Sequence, residues 1–145
     1  MGAHLYLHIT WTTLNRLPLV DGRVQAFLES FLRTKATQHE TSVLAIGMVN
    51  DHVHMVIEVQ PVFDLPSLMQ GLKGASARIA NRDGHAQRRP LQWAPGYDAR
   101  TVGVTQLRSV VRYVESQASH HPERAIKGDS ALLGLQAATA PRAGS

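Results

Sequence analysis

The chain has 145 residues, 43% of them apolar and 18% charged, a composition that suits one globular domain with one sizeable core. It has no cysteine, which excludes a disulfide scaffold, a thiolate metal site and a cysteine nucleophile together. No apolar run approaches the roughly 18 residues of a membrane span and the N-terminus lacks a signal-peptide pattern, so a cytoplasmic protein with no membrane partner is expected.

His4 to Thr12 alternates, with Leu5, Leu7, Ile9 and Trp11 on one side and Tyr6, His8, Thr10 and Thr12 on the other, the period of a half-buried strand. After Pro18, Asp21 and Gly22, the residues Val24, Phe27, Leu28, Phe31 and Leu32 recur at helical spacing and predict an amphipathic helix ending near Gln38. Ser42 to Val49 reads as a second strand, with Leu44, Ile46 and Met48 sharing a face. Asn50-Asp51 follows, a pair suited to the positive φ angles of a tight hairpin turn. The third strand, His52 to Gln60, sets Val53, Met55, Ile57 and Val59 against His52, His54, Val56 and Glu58. Apart from Val56 that second face is polar, so the sheet is expected to lay one face on helices and leave the other free.

Asp64 can cap a helix that tolerates Pro66 in its first turn and has Leu65, Leu68, Met69, Leu72 and Ile79 as its apolar side. Gly71 and Gly74 each cost such a helix about 1 kcal/mol relative to Ala, which either a close backbone neighbour or a break would explain. Asp83 to Pro95 is a loop rich in Gly, Pro and Arg, and Tyr97 to Val102 can form a short fourth strand. Thr105 is positioned to cap a last helix that runs to about His120, buries Leu107, Val110, Val111 and Val114, and is ended by Pro122. From Gly128 onward small residues and Leu predict a short turn and a frayed tail, which divides the chain into a domain over 1–127 and a tail over 128–145. The order β-α-β-β-α-β-α contains the split β-α-β of a ferredoxin-like, RRM-like α+β fold. It predicts an antiparallel sheet with the first and third strands at its centre, and an additional C-terminal helix carrying Tyr113.

Charge is unevenly spread. Residues 1–72 hold four basic and six acidic side chains. Residues 73–112 hold Lys73, Arg78, Arg82, Arg88, Arg89, Arg100, Arg108 and Arg112 against only Asp83 and Asp98. Such a block is either a solvated face or the footprint of a polyanionic partner. His52-Val53-His54 puts two imidazoles on one side of a strand, about 6.5–7 Å apart along the chain, where they can chelate one ion or simply face solvent. Tyr113 and Gln117, four apart on the last helix, share a face at the flank of its apolar stripe. A phenol there can be a boundary tyrosine or a nucleophile, and Gln can offer a neutral oxygen to a metal. Trp93 and Tyr97 can stack on unpaired bases or pin their loop to the core.

Together these features resemble the single-tyrosine HUH transposases, the enzymes of insertion sequences of the 200/605 type and their REP-associated relatives. The resemblance spans roughly Leu5 to Pro122. It rests on His8-Ile9-Thr10-Trp11-Thr12-Thr13, on Asn50-Asp51-His52-Val53-His54-Met55-Val56, and on Leu72-Lys73-Gly74-Ala75-Ser76-Ala77-Arg78. Trp93 to Tyr97, Tyr113-Val114-Glu115-Ser116-Gln117 and His120-His121 complete it. Gly47, Met48 and the Ala-rich tail fall outside the match.

The resemblance implies a DNA transposase that cuts and rejoins single-stranded DNA beside a hairpin through a covalent 5′-phosphotyrosine, without ATP. Tyr113 would be the nucleophile, and His52, His54 and Gln117 would hold Mg²⁺ or Mn²⁺. Lys73, Arg78, Arg82, Arg88, Arg89 and Arg100, with Trp93, would contact the strand. Members work as homodimers with merged sheets and with active sites shared between subunits, and the same is expected here. Two other readings use fewer of these residues. A non-catalytic single-strand nucleic-acid binder needs the basic block and aromatics alone. A zinc hydrolase built on His52 and His54 needs a third strong ligand, and Glu58 stands about two strand pairs away.

Overall fold

A computed structural model describes residues 4–126. Four strands, β1 (Leu5–Thr12), β2 (Ser42–Val49), β3 (His52–Val59) and β4 (Asp98–Val102), form one antiparallel sheet in the order β2-β3-β1-β4. This is the ferredoxin-like arrangement, with β1 and β3 central and paired along their whole length from Leu5↔Val59 to Thr12↔His52. The main core fills one face. Leu7, Ile9 and Trp11 of β1 and Val53, Met55 and Ile57 of β3 meet helix α1 (Gly22–Gln38) through Val24, Leu28, Leu32 and Ala36. Asp21 starts α1 by accepting from the Val24 amide at 3.0 Å, satisfying one of the helix's orphan donors.

The second helical stretch departs from a regular helix. Asp64 caps α2 (Leu65–Met69) at the Ser67 amide, a π-helical segment covers Gln70–Ala75, and α3 (Ser76–Arg82) resumes the α geometry. Gly71 and Gly74 both fall in the π segment, so the break, not a neighbouring backbone, is what they accompany. A β-carbon on Gly71 would come 2.9 Å from the His39 ring, whereas one on Gly74 would meet nothing within 4 Å.

The second sheet face is not free. Helix α4 (Leu107–Glu115) lies across β2 and β3 and buries Val114 against Ala45 and Val56, with Leu44, Leu107, Val110 and Val111 packed around them. Two local irregularities account for this. A register shift between Val43 and Ala45 turns Leu44 away from Ile46 and Met48, so Leu44 and Ala45 both serve the α4 side. Gly47 then leaves no side chain beneath the α4 backbone: a β-carbon there would stand 1.6 Å from the Val114 carbonyl oxygen.

Other expectations shift by smaller amounts. Asn50-Asp51 does form a two-residue hairpin turn closed by Val49↔His52, but neither residue has a positive φ; the Thr13 and Val20 amides donate to its carbonyls and the Asn50 amide donates to the Arg124 carbonyl. The fourth strand starts at Asp98, leaving Tyr97 in the loop. Gln106, not Thr105, occupies the cap position of α4, without a side-chain cap bond. The last helix does not run through to His120. It stops at Ser116, whose hydroxyl donates back to the Arg112 carbonyl at 2.7 Å, and a separate turn, α5 (Gln117–His120), follows before Pro122 opens a 3₁₀ turn. The tail over 128–145 lies outside the described residues, and the described part of the domain contains no helix long and apolar enough to cross a membrane.

Candidate active site

Period-two geometry sends His52 and His54 of β3 to the face that α4 covers, and both are buried. Their ring centroids are 4.9 Å apart with the planes at 79°. The helix break at Ser116 then separates two residues that an unbroken helix would keep on one face: Tyr113 stays 40% exposed, while Gln117 is 1% exposed and turned toward the histidines. Gln117 Oε1 lies 3.2 Å from His52 Nε2. The amide is oriented by its own Nε2, which donates to the Tyr113 carbonyl at 3.1 Å. The Tyr113 ring stands edge-on to His54, 5.7 Å between centroids, and to His8 at 6.3 Å. Within one chain Tyr113 thus stands beside its own His54 and His8, whereas the resemblance implied a tyrosine that serves the partner's histidines.

Hydrogen bonding decides which ring nitrogens remain. The Asp51 carboxylate meets His52 Nδ1 at 2.8 Å. Burial pushes the Asp51 carboxyl up, but the His52 bond and the Arg16 charge outweigh it and hold it below the usual carboxylate range. An ionised carboxylate only accepts, so Nδ1 carries the proton. A neutral ring then turns the Nε2 lone pair toward the Gln117 carbonyl oxygen, whereas an imidazolium donates Nε2–H to it. In the neutral form such a pair could hold a cation, for its spacing is close to the roughly 3 Å between adjacent ligands of an ion bound at about 2.1–2.2 Å. His54 Nδ1 is engaged from β1 by His8 Nε2 at 2.9 Å and Thr10 Oγ1 at 3.0 Å. Burial, with the neighbouring His52, His8 and His121, lowers the His54 pKa to about 3, so this ring is neutral near pH 7. Burial also lowers His8, against the pull of Asp98 and with a small push from Arg100.

Four members of this neighbourhood stand in the motifs quoted from the sequence but have no expected role at the site. They are His8, Asp51, His120, whose ring lies 4.8 Å from Tyr113, and His121, 5.4 Å from His52. An acidic residue directly before His-x-His and histidines three and four positions after a buried Gln are the signals that could have found them. Among the described residues no group of three or more His, Asp or Glu side chains shares a possible ion, and Glu58 is taken by His4 at 2.8 Å. Among the described residues the zinc-hydrolase reading thus lacks its third ligand.

The expected strand-contacting residues divide. Arg78, Arg88 and Arg89 are exposed and make no ion pair among the described residues. Arg82 is paired with Asp83 at 2.7 Å and Arg100 with Asp98 at 2.9 Å, both at the surface. Lys73 is committed inward: its ammonium donates to the carbonyls of Ala94 (2.8 Å) and Gly96, and burial lowers its pKa. Trp93 pins its loop. Its indole N–H donates to Ser76 Oγ at 3.0 Å and its ring meets Trp11 edge-on at 5.8 Å.

Fold and site together define a class: a ferredoxin-like α+β domain with a histidine–glutamine–tyrosine cluster on the sheet face opposite its main core. The profile of IS200-like transposases matches residues 2–117; the chain belongs to that family, and its function is that of a transposase. It is 30% identical over 117 residues to the ISDra2 transposase TnpA of Deinococcus radiodurans, covering 78% of this chain and 84% of that one. A crystal structure of a Deinococcus radiodurans R1 protein assigned as a transposase superposes with a TM-score of 0.64 at 28% identity, over 81% of this chain and 93% of the other. A REP-associated tyrosine transposase, solved bound to a REP hairpin, shares the fold at a TM-score of 0.61 and 13% identity, over 83% and 70% of the two chains.

Proposed function

We propose that this transposase cleaves and rejoins single-stranded DNA at hairpin-flanked ends, with Tyr113 as nucleophile. The phenolic oxygen attacks the scissile phosphorus in line and loses its proton to solvent, the bond from phosphorus to the 3′-oxygen breaks, that oxygen takes up a proton and leaves as a 3′-hydroxyl, and the 5′-phosphate stays on Tyr113. The phosphodiester energy is thereby retained, and a 3′-hydroxyl attacking the phosphotyrosine reseals DNA without ATP. His52, His54 and Gln117 are the residues that would hold Mg²⁺ or Mn²⁺. When bound, such an ion neutralises charge on the scissile phosphate and on the departing oxygen.

The observation that carries this reading is the Gln117 amide. The same side chain bonds the Tyr113 backbone and aims its oxygen at His52 Nε2, so nucleophile and donor set are built as one unit. A non-catalytic binder has no use for that buried pair of facing acceptors. Ser109, Arg112, Ser116 and His120 line an open groove beside Tyr113 that offers a path for the strand. Unpaired DNA with a hairpin suits Arg78, Arg88 and Arg89, because phosphate contacts position a strand without reading its sequence. We place the reaction in the cytoplasm and expect a homodimer through a sheet edge, where unpaired backbone groups invite a mate. The test is labelled single-stranded DNA from the flanks of its own gene, incubated with Mg²⁺ or Mn²⁺ and run on a denaturing gel. A protein–DNA adduct that disappears in Tyr113→Phe is the expected result; cleavage that survives the substitution would reassign the chemistry to water.

A further inference from the structure

We propose that Asp51 is a positioning residue: its carboxylate fixes the tautomer and ring plane of His52 and ties that ring to the chain segments on both sides of the site. The inference rests on reading His52, His54 and Gln117 as a metal-binding set. A residue in a two-residue hairpin turn usually faces solvent, yet Asp51 is only 5% exposed. A buried carboxylate is costly unless its oxygens are bonded and its charge is paired. Here the two oxygens divide the work. Oδ1 takes His52 Nδ1 at 2.8 Å, and Oδ2 faces Arg16 Nε at 3.3 Å and Arg124 Nε at 3.6 Å.

Arg16 follows β1 and reaches the carboxylate from a backbone at φ 56, a left-handed conformation that is strained for a non-glycine residue. Arg124 follows α5, and its carbonyl accepts from the Asn50 amide at 2.8 Å. If Asp51 only anchored the turn, the arginines and backbone bonds would suffice. The oxygen aimed at the imidazole is the part such a role leaves unexplained. In the neutral ring, donation of Nδ1–H to a carboxylate leaves Nε2 as the lone-pair nitrogen, points it at Gln117 Oε1 and makes it a stronger ligand. His54 has no such backing: its Nδ1 meets a neutral ring and a hydroxyl. The two histidines are therefore unequal, and loss of Asp51 should disturb His52 alone.

The tautomers are read in the metal-free protein by long-range ¹H–¹⁵N NMR, and metal affinity by Mn²⁺ calorimetry without DNA. In the wild type His52 should be protonated at Nδ1; an Nε2–H tautomer there overturns the proposal before any variant is made. Asp51→Asn should give mixed His52 tautomers, leave His54 unchanged and weaken Mn²⁺ binding about 10–100-fold. Arg16→Ala with Arg124→Ala should lower the melting temperature while keeping the His52 tautomer and leaving Mn²⁺ affinity within a few fold. An Asp51→Asn protein that melts earlier but keeps both the wild-type tautomer and the wild-type Mn²⁺ affinity would make Asp51 a turn anchor only. Should the wild type take up no Mn²⁺, the metal reading fails by itself. The tautomer comparison still decides the proposal: a change in Asp51→Asn supports it, and no change overturns it.

Discussion

Gly47→Ala tests whether the site depends on how closely α4 approaches the sheet. The added carbon would lie 1.6 Å from the Val114 carbonyl oxygen and 3.3 Å from Gln117 Cγ. A carbon–oxygen contact settles near 3.3 Å, so the end of α4 must retreat by about 1.7 Å. Gln117 opens α5 just past the end of α4, and moving with it would take Oε1, now 3.2 Å from His52 Nε2, to about 5 Å. That exceeds the roughly 4.3 Å separating even opposite ligands of one ion at about 2.1–2.2 Å. Overpacking of this kind costs about 1–3 kcal/mol, or about 3–12 °C in melting temperature. The main core on the other face should keep its sheet and helix signal in far-UV circular dichroism. Calorimetry should show Mn²⁺ binding lost or sharply weakened, and the gel assay should show little adduct. A Gly47→Ala protein that melts within about a degree of wild type and binds Mn²⁺ as well would refute the close-approach reasoning.

Tyr113→Phe should bind hairpin DNA as the wild type does and form no adduct, with stability within about 0.5 kcal/mol because the ring is 40% exposed; electrophoretic shift, gel and melt check the three parts. Stability should fall as pH drops from about 6.5 toward 3, because the unfolded chain protonates His54 near its ordinary value while the folded chain, with its pKa near 3, refuses the proton. Each pH unit in that window is worth at most about 1.4 kcal/mol, so melting temperatures between pH 7 and 5 should decline in the wild type and much less in His54→Gln; equal slopes would count against a buried neutral ring. Lys73→Ala should lower the melting temperature by loosening the loop at Ala94 and Gly96 while leaving the salt dependence of DNA binding unchanged. Arg78→Ala and Arg89→Ala should do the reverse, each reducing the salt slope by about 1 with little effect on stability.

The central strands and the shared face of His52 and His54 are legible in the sequence because strand alternation is set by backbone geometry alone. The cover on that face is not. Val56 interrupts the polar pattern by a single residue, and its partners come from a bulge at Leu44-Ala45 that no alternation reveals. Gln117 has the right spacing from Tyr113, but its burial follows a helix break at Ser116, where a local side-chain bond to the Arg112 carbonyl competes with the helix in a way that periodicity does not reveal. Lys73 and Trp93 show the opposite failure. Their residue types suit a DNA surface, yet tertiary contacts to the loop over 93–96 and to Ser76 draw them inward. Asp51 is legible as a turn residue and illegible as a partner of His52, because Arg124 reaches it from the far end of the domain.

The two sheet faces are held very unequally. One carries the large cluster that joins α1, α2 and α3 to the strands; the other secures α4 by Ala45, Val56 and Val114 and a ring of half-buried neighbours. Free energies of local opening scale with such contacts. The α4 amides should therefore exchange with deuterated solvent through an opening that leaves the sheet intact, whereas those of β1 and β3 should wait for global unfolding. Tyr113 thus sits on a leaf of the domain that opens more readily than the main core, and a bound strand that spans Tyr113 and the sheet would slow that exchange without adding a single contact to that core.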